Sequence, residues 1–224
     1  VTVTATDDCG NDTDQNFTFT ITDTTPPVIT GGADGAAECE STDPSLNSQY
    51  ILWRDGFAGI SGSDVCSSAA LTYTEGAWTA VDVCTDQITV TFTATDDCGL
   101  TTDVDFTFTI TDTTDPFIID GSNGTAECQG SDPALNTEYI TWRNQYANAT
   151  TNDACGNATL SYTESPWVTL DACTVQTTVT VTATDDCGND TDQNFTFTIT
   201  DTTPPVITGG ADGAAECEST DPSL

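Results

Sequence analysis

Histidine and methionine are absent from these 224 residues, and lysine and arginine together number only 2. Without His or Lys, neither a Ser/Thr triad nor a Ser–Lys pair can be built, and lysine-based isopeptide cross-links are excluded. No Gly-rich phosphate loop occurs, and no glycosidase-like carboxylate pair stands out among the 36 acids. The chain therefore reads as a non-enzyme. No apolar run is long enough to cross a bilayer, so membrane insertion is not expected. With no initiator Met or export signal, the sequence reads as the interior of a longer precursor.

What is present is acid. The formal net charge of -34 repels nucleic acid and anionic membrane surfaces and attracts cations, divalent ones in particular. Strong acidity often marks disorder, but 36% hydrophobic residues in a regular pattern, with four Trp and nine Phe, are enough to close compact cores. The ten cysteines point to an oxidising, extracellular setting, secreted or on a cell surface.

The chain repeats itself. Cys9, Cys98 and Cys187 lie 89 residues apart, as do Cys39, Cys128 and Cys217, then Cys66 with Cys155 and Cys84 with Cys173. Residues 1–46 and 179–224 are identical, so two repeat types alternate. The expected organisation is a C-terminal hairpin of a preceding module over 1–22, module A over 23–111, module B over 112–200, and the start of a further A over 201–224.

Within a module, "ITVTFTATDDCG" (88–99) and "FTFTIT" (106–111) alternate apolar and polar residues, the mark of half-buried antiparallel strands joined at an Asp-Cys-Gly turn. "ALTYTEGAW" (70–78) fits another strand, and "PPVIT" (26–30) with "GAAEC" (35–39) fits an edge strand after prolines. One helix interrupts the pattern: in "STDPSLNSQYILWRDGF", Asp43 is the expected cap and Pro44 the first turn, with Leu46, Tyr50, Trp53 and Phe57 on one face over the sandwich edge. Arg54 and Arg143, one per module, sit beside that face's Trp; anchoring the helix is favoured over contacting a ligand. The expected fold is all-β: tandem immunoglobulin-like β-sandwich modules, each with one short inserted helix.

"TDTTPPVI" followed by "ITVTFTATDDCG" and "FTFTIT" resembles the hyalin-repeat (HYR-like) and related Ig-like modules strung along large bacterial surface proteins of the Bacteroidota type. The chain departs from them in lacking a Cys-Pro after the first strand and a cysteine in the last strand, and in adding the helix. The resemblance implies an extracellular adhesive or structural role.

Four cysteines per module allow three pairings. Cys84 and Cys98 flank a strand about 30 Å long, beyond disulfide reach. If Cys66 and Cys98 share one end of a sandwich and Cys39 and Cys84 the other, the expected bridges are Cys39–Cys84, Cys66–Cys98, Cys128–Cys173 and Cys155–Cys187, with Cys9 and Cys217 left over. Zinc ligation is disfavoured by the lack of CxxC pairs and of His.

Carboxylates gather at turns, as Asp7/Asp8, Asp96/Asp97 and Asp185/Asp186, and at linkers, as Asp23, Asp112 and Asp201. A linker Asp meeting the following module's turn pair, with Asp82 or Asp171 of the preceding module, makes an oxygen-rich calcium site: Asp82, Asp96, Asp97, Asp112, Asp185 and Asp186 are its candidates. Turn preference and solubility explain the same residues without an ion. Sequons stand at Asn11, Asn16, Asn123, Asn148, Asn157, Asn189 and Asn194; complete module A has none, so covalent glycans are expected in alternating bands, against the alternative of bare polar strand faces. Threonine ladders such as "TVTFTAT" reflect β-propensity on a solvent face; ice binding is disfavoured because sandwich strands twist.

Taken together, the sequence predicts a structural component of an extracellular fibril or cell-surface rod, calcium-stiffened and glycosylated, whose partners are copies of itself. The alternative is an adhesin stalk contacting glycans or surface proteins, for which loops such as "AGISGSDVC" and "ANATTNDAC" leave room.

Overall fold

A computed structural model describes residues 1–210. Residues 201–210 form no strand, and the rest of the expected further repeat, with Cys217, lies outside the described residues. By contact the chain divides into two units. Unit 1 holds Val1–Ile119, Thr150–Ser161 and Thr182–Asp192; unit 2 holds Asp120–Ala149, Tyr162–Val181 and the residues from Gln193 onward.

The chain opens with an isolated antiparallel hairpin of β1 (Thr2–Thr6) and β2 (Asp12–Asn16). The first repeat follows as β3 (Val28–Gly31), β4 (Gly35–Glu38), α1 (Ser48–Asp55), β5 (Ile60–Ser63), β6 (Ala69–Glu75), β7 (Thr79–Ala80), β8 (Thr85–Asp96) and β9 (Thr101–Thr111). The second gives β10 (Phe117–Asp120), β11 (Gly124–Glu127), α2 (Thr137–Asn144), β12 (Ala149–Asn152), β13 (Ala158–Glu164), β14 (Val168–Thr169), β15 (Thr174–Asp185) and β16 (Asp190–Thr200).

The alternating runs form the long central hairpin of each repeat. β8 and β9 pair from Thr85↔Thr111 to Thr95↔Thr101 in a sheet ordered β4-β9-β8-β6, with β7 also on β8. Their apolar parity faces inward: Val90, Phe92 and Ala94 are fully buried, and Phe108 and Ile110 nearly so. The opposite layer is the β3–β5 pair together with α1, whose Tyr50 is 1% exposed at the centre of the core. The second repeat repeats the order as β11-β16-β15-β13, with β14 on β15 and a β10–β12 pair. This is an all-β, Ig-like arrangement, one helix per repeat.

Three local expectations change. "PPVIT" and "GAAEC" are not one edge strand: β3 pairs antiparallel with β5, and β4 pairs parallel with β9. Gly31 and Gly32 turn the chain between them at φ of 78° and 86°, and a Cβ on Gly32 would lie 2.5 Å from the Phe106 ring, so only glycine fits there. Asp43 caps a single 3-10 turn, Pro44–Leu46, whereas α1 itself is capped by Asn47, whose ψ of 126° breaks the helix in two. Leu46, on the wrong side of that break, is 65% exposed, and α1 covers the open face of the sheet, not its edge. The arginines anchor, as expected. Arg54 bonds Glu75 at 2.8 Å and lies over the Tyr50 and Tyr73 rings; Arg143 bonds Glu164 at 2.7 Å and lies over Tyr139 and Tyr162.

The outward threonines are also engaged. Thr91 and Thr93 donate to Asp105 and Asp103 across the β8–β9 pair, both at 2.7 Å, which ties up the ranks a water-ordering face would need.

Candidate metal centre and its disulfide frame

Seven of the nine cysteines among the described residues share one local device: an Asp two residues earlier accepts the cysteine amide. The pairs are Asp7–Cys9, Asp64–Cys66, Asp82–Cys84, Asp96–Cys98, Asp153–Cys155, Asp171–Cys173 and Asp185–Cys187, at 2.7 to 2.9 Å. This Asx turn holds thiol and carboxylate side by side on an otherwise irregular loop.

The cysteines of unit 1 do not pair as expected. Cys39 is bonded to Cys155 and Cys84 to Cys187, with sequence separations of 116 and 103. The expected Cys39–Cys84 and Cys155–Cys187 bridges are thereby excluded. Segments 150–161 and 182–192 of the second repeat pack with the first repeat in one contact unit, which brings Cys155 to Cys39 and Cys187 to Cys84 across the repeat boundary. Cys66, Cys98, Cys128 and Cys173 are unpaired and exposed, so the expected Cys66–Cys98 and Cys128–Cys173 bridges are not formed either.

Beside the two bridges lies the linker 112–116. Asp112 directly follows β9, its amide donating to the Cys84 carbonyl at 2.9 Å. Glu38, on β4, accepts from the Thr113 amide and hydroxyl at 2.7 Å each and from the Thr114 hydroxyl at 3.1 Å. Unit 2 repeats the clamp, with Glu127 accepting from Thr202 and Thr203. Burial opposes the Glu38 charge, but the Thr113 and Thr114 bonds outweigh it and hold its carboxyl below the ordinary range.

Asp112 thereby meets two buried acids. A carboxylate oxygen of Asp112 lies within 4.8 Å of one from Asp185, and likewise of one from Asp153. All three residues are 8% exposed. Burial, then repulsion from Asp153, Asp185 and Glu38, pushes the Asp112 carboxyl above its ordinary value, although the Thr114 amide bonds it. Asp185 is buried too, yet bonds from Asn189 and the Cys187 amide hold it below. Asp153 spends one oxygen on the Cys155 amide, and its Oδ1 is buried without a partner. Cys187 Sγ is 3.5 Å from Asp112 Oδ2, but a bridged sulfur carries no hydrogen and neither donates nor neutralises.

The equivalent set in the first repeat is Asp23, Asp64 and Asp96. Asp23 and Asp64 lie within 4.8 Å of each other and of Cys66, and buried oxygens of both Asp23 and Asp96 lack partners. Leu100 stands where the second repeat has Asn189, so nothing donates to Asp96 Oδ2.

Of the six candidate ligands read from sequence, Asp112 and Asp185 are brought together, and Asp96 is the first-repeat equivalent of Asp185 by position. Asp97 accepts from the Ser68 hydroxyl at 3.3 Å, Asp82 caps Cys84, and Asp186 is exposed, all outside the carboxylate groups. Asp64 and Asp153 were missed. The recurring Asp-x-Cys spacing carried their signal.

Six of the seven sequon asparagines are exposed, Asn189 being half-buried. Asn11 and Asn189 spend their side-chain amide on Asp7 and Asp185, both at 2.9 Å. Asn194 accepts from Thr180 on the outward face of β16.

No family model and no curated protein matches the chain. Among solved structures, the Protocadherin GammaB4 extracellular domain is 15% identical over 89% of this chain and 38% of its own length, at a TM-score of 0.36. Drosophila N-cadherin EC1-4 is 13% identical over 80% of this chain and 50% of its own, at 0.36. Mouse Protocadherin-24 EC1-3 is 13% identical over 90% and 78%, at 0.34. The chain thus spans half or less of the first two, and scores of this size carry no weight for ligand or partner. Among the described residues no helix is long and apolar enough to cross a membrane.

Proposed function

We propose that the chain is a load-bearing structural segment of an extracellular or cell-surface array, non-enzymatic, in which each repeat is fastened to the next by two disulfides and a divalent cation. The observation that carries this reading is the junction itself: Cys39–Cys155 and Cys84–Cys187 frame three buried carboxylates. Asp112 lies within 4.8 Å of each of the other two, and like charges this close repel unless a cation neutralises them. Asp112, Asp153 and Asp185 are all-oxygen donors, the set that suits calcium. Bound there, calcium would fix the linker relative to the turn after β15, while the Glu38 clamp and Pro116 restrict its bending.

Two bridges across a boundary carry tension past the linker, which is what a rod or fibril of such repeats needs. The loops that differ between repeats, "AGISGSDVC" and "ANATTNDAC", carry Cys66 and Cys155, and the second is committed to a bridge, which favours a structural over a ligand-binding use. Exposed Asn194 and its equivalents in the sequon-bearing repeats would carry the glycan coat, in the alternating bands that the sequon distribution predicts.

Single-molecule pulling tests the reading. The oxidised chain should extend less than the reduced one because the span from Cys39 to Cys187 is locked, and calcium should raise the force at which the junction opens. Equal extension in both redox states would remove the load-bearing role.

A further inference from the structure

Each bridged sulfur of the junction travels with a carboxylate. On the first-repeat side, the Cys39 amide donates to the Thr111 carbonyl at 3.0 Å and the Asp112 amide donates to the Cys84 carbonyl at 2.9 Å, so the chain leaves β9 with Asp112 between the two cysteines. On the second-repeat side, Asp153 Oδ2 accepts the Cys155 amide at 2.7 Å and Asp185 Oδ1 accepts the Cys187 amide at 2.8 Å. An Asx turn of this kind lets the sulfur move only with its carboxylate. Closing Cys39–Cys155 therefore brings Asp153 to Asp112, and closing Cys84–Cys187 brings Asp185 there, each pair of carboxylates ending within 4.8 Å. In the closed junction Asp153 is 8% exposed and its Oδ1 has no partner, a buried acceptor left for a ligand.

We infer that the bridges and the cation hold one another: a divalent cation at Asp112, Asp153 and Asp185 protects Cys39–Cys155 and Cys84–Cys187 from reduction, and reduction of the bridges releases the cation. This rests on the cation site proposed above and adds its regulation. Without a cation, each bridge closes against the repulsion between Asp112 and the acid on its own turn. With one, the same closure gathers the ligands. The effect is equal in both directions, because the factor by which closed bridges tighten cation binding is the factor by which the cation favours closed bridges. The junction is a latch that stays shut in an oxidising, calcium-rich medium and opens in a reducing, calcium-poor one.

Opening is thiol–disulfide exchange with a small thiol such as glutathione. One glutathione thiolate attacks a bridge sulfur and expels the other as a protein thiolate; a second attacks the glutathione sulfur of the mixed disulfide and expels the remaining protein sulfur. One bridge is reduced to two thiols, two glutathiones are oxidised to one glutathione disulfide, and the two protons they give up pass to the protein sulfurs.

The test is a redox titration of the full chain with Cys9, Cys66, Cys98, Cys128, Cys173 and Cys217 changed to serine, so that only the four bridged cysteines report. The protein is equilibrated with glutathione and its disulfide over a range of ratios, in saturating calcium or in chelator at matched ionic strength, then alkylated and weighed. Calcium should raise the squared-glutathione to glutathione-disulfide quotient at half-reduction roughly tenfold. Asp112→Asn should abolish that shift and, in chelator, make the bridges harder to reduce than in the parent, since the repulsion is gone. Asp186→Asn removes the same charge from the exposed residue beside Asp185 and should leave the calcium shift intact. Digests of the unreduced Asp112→Asn chain should contain both bridges, which reports its folding. Coincident reduction curves with and without calcium overturn the inference, as does a shift that survives Asp112→Asn or vanishes in Asp186→Asn. Calorimetry with calcium alone separates the two levels: equal affinity for the oxidised and reduced chains leaves the cation site and removes the coupling, whereas no binding to the oxidised chain removes both.

Discussion

Cys39 is bonded to Cys155, with Cα atoms 5.9 Å apart, and not to Cys84 of its own repeat. A bridge closing 116 residues removes much of the unfolded chain's freedom. Substituting both partners with serine should therefore cost about 2–5 kcal/mol, read from denaturant melts of the oxidised protein. A change within 0.5 kcal/mol would mean that the bridge does not constrain the unfolded state.

Leu100 leaves a buried Asp96 oxygen without a donor where Asn189 supplies one to Asp185. Leu100→Asn should restore that bond and stabilise the cation-free protein by about 1 kcal/mol. The same change should weaken calcium binding by that set, because the free oxygen is the one a cation would take. Melting with calcium and with chelator measures both effects.

Asp112 titrates above the ordinary aspartate range, so the folded state binds its proton more tightly than the unfolded state. Between the ordinary value and the raised one, stability of the chelated protein should fall as pH rises, and this loss should be complete above the raised value. Asp112→Asn should flatten that slope and, with chelator, raise stability at neutral pH. Saturating calcium should flatten it without substitution.

Glu38 titrates below its ordinary range through its bonds to Thr113 and Thr114, so its contribution is present above the ordinary glutamate value and is lost as pH falls through the lowered one. Glu38→Ala should cost about 1–2 kcal/mol and speed hydrogen exchange at the Thr113 amide roughly tenfold, the factor that 1.4 kcal/mol corresponds to. Exchange unchanged at Thr113 would show that the clamp does not hold the linker.

Arg54→Ala should destabilise unit 1 by about 1–2 kcal/mol, because Glu75 loses its ion pair and the Tyr50 and Tyr73 faces lose their cation. Arg54→Lys should recover only part of this, since an ammonium cannot stack as the planar guanidinium does.

The strands were legible because Val90, Phe92 and Ala94 alternate with threonine and nothing competes with that period. The helix was legible in place but not in detail: Asn47, a cap between two apolar runs, splits it and exposes Leu46. The cysteine pairing was not legible. Spacing within one repeat assumes that the repeat closes on itself, whereas segments 150–161 and 182–192 pack into the contact unit of the preceding repeat. Asp153 escaped for a related reason. It lies in neither the linker nor the β15–β16 turn, and only the Asp-x-Cys spacing that it shares with Asp185 marks it as a partner for Asp112.

Peptide mapping of the unreduced, oxidised chain addresses the junction most directly. Digests should contain Cys39 joined to Cys155 and Cys84 joined to Cys187. Recovery of Cys39–Cys84 and Cys155–Cys187 in their place would mean that each repeat closes on itself and that no covalent frame surrounds Asp112, Asp153 and Asp185.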